Sequence, residues 1–253
     1  MNPKMGVVIA VLASWVLCGV AGTAQKNGPP HFSYSGDTGP GFWSETNPGC
    51  APSAGQSPID INHAVVDPRL GPLDLKTTEA PFQLANTGYT VQATPAADSG
   101  TLTIAGQPFT LASFHFHTLS EHTVSGRQGV MELHVVFQHT SQSLAVIGVL
   151  YKIGQADPFL QKLLIAGLPQ KRTSPPVTVP RLDLAKAFTD LASYHTYAGS
   201  LTTPPCSETV TWFVLKQWAE ISQEQYEAFR NILGNDFRPI QKTAGRRVSA
   251  TAR

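Results

Sequence analysis

The chain has 253 residues, 42% of them hydrophobic and 14% charged, with a formal net charge of +1. That is enough apolar material for one large core, and a single all-β domain runs to roughly 250 residues. Nothing in the charge balance supplies a basic face to follow a phosphate backbone, so a nucleic-acid partner is unsupported.

Taken in chain order, Lys4 is followed by the apolar run VVIAVLASWVLCGVAG and then small residues up to Ala24. A basic start, a short apolar middle and a small-residue exit read as a secretory signal over residues 1–24. The alternative is a membrane anchor, but the run falls short of the ~20 apolar residues that a spanning helix needs. A lipid anchor at Cys18 is disfavoured by the bulky Leu17 before it. Residues 25–253 are then one domain, periplasmic or secreted, with no stable membrane insertion once the signal is removed; a homodimer is open to it. Cys18 leaves with the signal, and Cys50 and Cys206 remain. Two cysteines in an exported chain suggest one disulfide, the alternative being two unpaired buried thiols. Closing so long a loop is worth roughly 4–5 kcal/mol in the chain-entropy view.

The segment KNGPPHFSYSGDTGPGFWSETNPGC reads as irregular chain pinned by Phe32, Tyr34, Phe42 and Trp43. Beyond residue 81, FQLANTGYTVQA, GTLTIAGQPFTLASFHFH, MELHVVFQH, LAVIGVLYKIG and TVTWFVLK alternate apolar and polar residues between turn signals, the pattern of strands and hairpins. Two stretches carry helix signals. ADPFLQKLLIAGL opens with an Asp cap, and SQEQYEAFRNILG has Ser222 as cap, Gln225 in the capping-box position and Gly234 as stop. The Pro-rich SPPVTVP and LTTPP read as joining loops. The expected fold is mainly β: a single domain around a large, mostly antiparallel twisted β-sheet with a few short surface helices.

The stretch FHFHTLSEHTVSGRQGVMELH holds four of the eight histidines. On a strand, successive side chains alternate faces, so His115 and His117 share one face and Phe114 and Phe116 the other. MELHVVF sets Glu132 and His134 on one face in the same way. If the two strands are neighbours, three imidazoles can meet, and three histidines leave one position of a tetrahedral zinc open, as catalytic sites do. HxH alone is a weak signal, since a lone strand histidine is usually a hydrogen-bonded core or surface residue. HxH followed by Glu121 and then by ExH is much stronger.

FHFHTLSEHTV…ELHVV, together with Gln56-Ser57-Pro58-Ile59-Asp60-Ile61 and Gly199-Ser200-Leu201-Thr202-Thr203-Pro204-Pro205-Cys206, resembles the bacterial α-class carbonic anhydrases from about Tyr34 to Arg238. The resemblance implies a zinc enzyme that hydrates carbon dioxide reversibly to bicarbonate and a proton. His115, His117 and His134 match the zinc ligands. A metal-bound hydroxide would attack carbon dioxide, oriented by Thr202 and the buried carboxylate of Glu121. Thr203 matches the neighbouring pocket threonine, and Tyr34 a tyrosine at the cavity mouth. Glu132 matches the residue holding the His134 ring, and His122 and Tyr197 a polar pair supporting Glu121. Val136, Val146, Leu201, Val210 and Trp212 match the apolar wall beside the substrate. Cys50 and Cys206 match a disulfide common in exported members.

Three positions depart from that pattern. Tyr89 stands where the family usually has its proton-shuttle histidine, and a phenol with an ordinary pKa near 10 shuttles protons poorly at neutral pH. Proton release is therefore expected to limit turnover unless buffer, His31, His63 or His195 substitutes. Ser113 replaces the glutamine that usually holds the His115 ring, so zinc affinity is expected to fall. The segment before Trp43 lacks the usual glutamate–histidine pair, a surface difference. The competing reading is a non-catalytic carbonic-anhydrase-like binding protein. Against it stand all three matching ligands, Glu121 and Thr202. An esterase role is a third reading, more plausible as a side activity.

Overall fold

The computed structural model describes residues 32–252; the signal-sequence reading and His31 lie outside them. The alternating segments pair into one thirteen-stranded sheet. Its central order runs Val177–Leu182, Ala80–Asn86, Val91–Pro95, Gln107–His117, Met131–Gln138, Leu144–Ile153, Val210–Leu215 and Tyr194–Gly199, then two short edge pieces at Ser249–Ala250 and Val65–Val66. Most neighbours are antiparallel. The strand Leu144–Ile153 breaks the rule, pairing in parallel with Val210–Leu215 and with Ala219–Ile221.

Period-two alternation gives the sheet two unlike faces. Phe114 and Phe116 point to one side and are fully buried against Phe82, Phe159 and Phe229, with ring centroids 4.7–5.6 Å apart. Each such burial is worth roughly 1.5–3 kcal/mol. His115 and His117 point to the other side. That side holds a second apolar cluster that includes Ile59, Val146, Tyr197, Val210 and Trp212.

Both helices start where their caps predict. Asp157 accepts from the N–H groups of Phe159 and Leu160, and the helix runs Pro158–Ala166. Ser222 and Gln225 form the reciprocal capping box of the helix Gln223–Leu233, and Gly234 ends it with φ at 68°. Phe229 of this helix supports Phe116 from behind.

Two expectations need correction. SPPVTVP is not all loop: Val177–Leu182 is an edge strand on Ala80–Asn86. Pro180 has no N–H to offer, and an edge tolerates it; the register slips between Val179 and Leu182. Phe42 pins nothing, being 44% exposed, whereas Trp43 beside it is buried. The helix Trp43–Thr46 is only one turn, so it can direct just one of these two adjacent rings inward.

Candidate metal centre and active site

Two central strands bring the histidines together. Gln107–His117 and Met131–Gln138 pair so that His115 faces His134 and His117 faces Glu132. The ring centroids of His115, His117 and His134 lie 4.7–5.2 Å from one another. One nitrogen of each ring falls within 4.8 Å of the others, the spacing of three donors around one ion.

The outer ring nitrogens show which atoms face the centre. His117 Nδ1 donates to the Asp236 carbonyl at 2.6 Å, and its Nε2 is buried with no hydrogen-bond partner. His134 Nε2 donates to Glu132 Oε1 at 3.0 Å, leaving Nδ1 on the inner side. Burial holds His134 down to about 4 and His115 well below the usual imidazole range; the neighbouring imidazoles add to the effect. Neutral imidazoles are the form that binds metal. The unpartnered His117 Nε2 and the convergent rings fit a zinc ion.

Glu132 organises the layer behind the rings. Its Oε1 also accepts from His122 Nδ1 at 2.7 Å, and its Oε2 accepts from the backbone N–H groups of Glu121 and His122, each at 2.8 Å. Burial opposes this charge, yet His122, His134 and these bonds hold Glu132 well below the usual carboxylate range. His122, Glu132 and His134 also cluster closely enough to suggest ligation. Glu132 is already filled by hydrogen-bond donors, so this second cluster is support rather than a metal site. Gly148, opposite His134, makes room for it: a Cβ there would come within 2.9 Å of Glu132 Oε1. The chain continues outward, His122 Nε2 lying 2.6 Å from the Tyr197 hydroxyl, which donates to Ser57 Oγ at 3.0 Å.

Glu121 is buried beside the centre, its Oε2 3.9 Å from His134 Nδ1. Its Oε1 accepts from the Arg238 N–H at 2.7 Å and its Oε2 lies 3.5 Å from His117 Nε2. Burial pushes its carboxyl up to about 8, against the opposing bonds from Arg238 and the Thr202 hydroxyl. Thr202 sits buried in the loop between Tyr194–Gly199 and Val210–Leu215. Disulfide Cys50–Cys206 ties that loop to the N-terminal segment. The Gln56 amide donates to the Cys206 carbonyl at 3.1 Å, and its side-chain oxygen accepts from Arg238 at 2.8 Å. The QSPIDI motif therefore braces both loops.

A cavity of about 230 Å³ opens onto His115 and His117, bordered by Tyr34, Tyr89, Gln92 and Thr203. Burial, then Glu121, Asp236 and Tyr89, hold the Tyr34 phenol well above its usual range. Val146, Val210 and Trp212 are buried in one cluster with the partly buried Val136 and Leu201, and Trp212 packs 4.8 Å from the His134 ring. Ser113 sits opposite Val136. His63 is exposed and His195 lies on Tyr194–Gly199; neither borders the cavity. Burial, then Lys216, lowers His195 to about 4, so its ring is uncharged at neutral pH.

The model of the eukaryotic-type carbonic anhydrases matches residues 38–252. The chain belongs to the α-carbonic anhydrase family. A carbonic anhydrase of Klebsiella pneumoniae is 38% identical over 86% of this chain and 90% of its own length. The α-carbonic anhydrase of Thermovibrio ammonificans, solved with the inhibitor sulfanilamide, superposes with a TM-score of 0.82 at 36% identity, covering 88% of this chain and 100% of that one. Dioscorin complexed with ascorbate superposes equally well, at 0.82 and 29% identity over 87% of this chain and 97% of that one. The family's activity is the hydration of carbon dioxide, and its members are generally zinc-dependent.

Sequence reading missed several residues at the site. Asp236 and Arg238 reach His117 and Glu121 through backbone groups, which no side-chain motif announces. Gly148 matters only through what it leaves empty.

Proposed function

We propose that His115, His117 and His134 hold one zinc ion and that residues 25–253 form an exported enzyme converting carbon dioxide and water to bicarbonate and a proton. The single observation that carries this is the convergence of three imidazoles, His117 and His134 buried with their outer nitrogens already engaged and His115 opening onto the cavity. Zinc bound there would supply a strong nucleophile at neutral pH; carbonic anhydrases are themselves the reference example of zinc lowering the pKa of a bound water to about 7.

The protein's own groups then orient and exclude. Glu132 fixes the His134 ring, and His122 with Tyr197 fixes Glu132. In this reading the Thr202 hydroxyl donates to the buried Glu121 and leaves its own oxygen's lone pairs to accept a hydrogen bond and so aim the attacking group. Thr203 and Tyr34 shape the polar side of the cavity. Val136, Val146, Leu201, Val210 and Trp212 offer a small apolar substrate a dry wall. At the mouth Tyr89 offers a phenol instead of an imidazole, so the product proton leaves slowly unless buffer carries it. Export by the signal at residues 1–24, to the periplasm or outside, is supported by the Cys50–Cys206 disulfide.

The test is carbon dioxide hydration by the full mature chain before and after stripping and restoring zinc. Activity tracking one zinc per chain, and lost in His134→Ala, is the expected result. A second reading, a non-catalytic binding protein, draws on the likeness to dioscorin. Inactivity in the presence of a full complement of zinc would favour it.

A further inference from the structure

The three imidazoles are not equally held. His117 donates to the Asp236 carbonyl and His134 to Glu132, but among the described residues no hydrogen bond holds the His115 ring. A neutral imidazole has one N–H and one lone pair, and an acceptor on the N–H fixes which nitrogen faces the metal. Ser113 precedes His115 by two residues on the same strand, faces Val136, and does not border the cavity.

Gln92 is better placed. It lies on the neighbouring antiparallel strand Val91–Pro95 and pairs directly with His115. Directly opposite residues share a face, with Cβ atoms about 4.5–5.5 Å apart. Both side chains border the same cavity. Gln92 carries an amide with one acceptor and two donors on a stem of two methylenes, and no hydrogen bond engages that amide among the described residues. The Ser113 hydroxyl has no such reach.

We infer that Gln92 is the positioning residue for His115 in the zinc-loaded protein: there its side-chain oxygen accepts from the ring nitrogen that faces away from the other two imidazoles. The hold on this ligand thus comes from the adjacent strand rather than from the histidine's own. The inference rests on the zinc reading above.

The test compares zinc-loaded wild type, Gln92→Ala, Gln92→Met, Ser113→Ala and the double variant Gln92→Ala/Ser113→Gln. Two quantities are read: the zinc release rate into excess chelator, and the His115 ring N–H signal in a nitrogen-15 spectrum. Both Gln92 variants are expected to release zinc about 10-fold faster or more and to lose the protected N–H signal. Ser113→Ala is expected to match wild type, and the double variant to recover both properties. Gln92→Met keeps the stem in place, so a packing defect in Gln92→Ala does not decide the outcome. Wild-type release from Gln92→Met, or faster release from Ser113→Ala alone, would overturn the inference while leaving the zinc reading intact. A wild-type chain that takes up no zinc would overturn the zinc reading and this inference together.

Discussion

The ring of Tyr89 lies flat on the ring of Phe32, with centroids 3.9 Å apart and planes 3° from parallel. Phe32 in turn packs edge-on against Trp43 at 5.3 Å and against Tyr34 at 6.1 Å. The group at the cavity mouth is therefore seated in an aromatic cluster, away from the geometry of a side chain that swings between the metal and solvent. Tyr89→His should raise carbon dioxide hydration at low buffer by about 10-fold or more. At high buffer the variant and the wild type should converge. Rates at both buffer levels check this.

Thr202 has a narrower task. Thr202 is buried, and its loop is fixed by the disulfide and by the Trp212 indole, which donates to the Ser200 carbonyl at 3.0 Å. Thr202→Ala should lower kcat/KM about 100-fold, the usual scale for a misaimed reacting group, with zinc content unchanged. Thr202→Ser keeps the hydroxyl and should recover most of the loss. Steady-state kinetics with metal analysis on the same samples distinguishes the two effects.

The Cys50–Cys206 bond spans 156 residues. Removing a link across so long a loop costs roughly 5 kcal/mol in the chain-entropy model, an upper figure. Cys50→Ser/Cys206→Ser should lower the denaturation midpoint by a few kcal/mol equivalent. It should also lower activity at temperatures where the chain stays folded, because the Thr202 loop loses its tether. Chemical denaturation of both forms, followed by fluorescence, measures the first effect.

His195 links stability to pH. Its Nδ1 is buried without a partner, and burial lowers its pKa to about 4, against about 6.5 for a free imidazole. Between those values the unfolded chain holds more protons on this group, so its contribution favours folding above about 6.5 and is lost as pH falls to about 4. His195→Gln should flatten that part of the stability profile. Melting temperatures at half-unit steps from pH 4 to 7, taken as the difference between variant and wild type, isolate the effect.

Local patterns carried much of the fold into view. The alternation in FHFH and MELH, the Asp157 and Ser222 caps and the Gly234 stop are decided within a few residues, and each appears in the structure where the sequence puts it. Val177–Leu182 was hidden because its Pro180 is tolerated only at an edge, and nothing local says that a strand is an edge. The parallel pairing of Leu144–Ile153 with Val210–Leu215 depends on crossovers through the rest of the chain. At the site, the histidine spacing was legible, but the partner of His117 lies 119 residues away and is a backbone carbonyl. Gln92 likewise emerges only once the register across from His115 is known.

The most direct test is stopped-flow carbon dioxide hydration by the zinc-loaded mature chain over a series of imidazole-type buffer concentrations. The account predicts clear activity that climbs with buffer and then saturates, as Tyr89 leaves proton release to the solvent. The absence of hydration at every buffer concentration, with one zinc per chain verified in the sample, would contradict it.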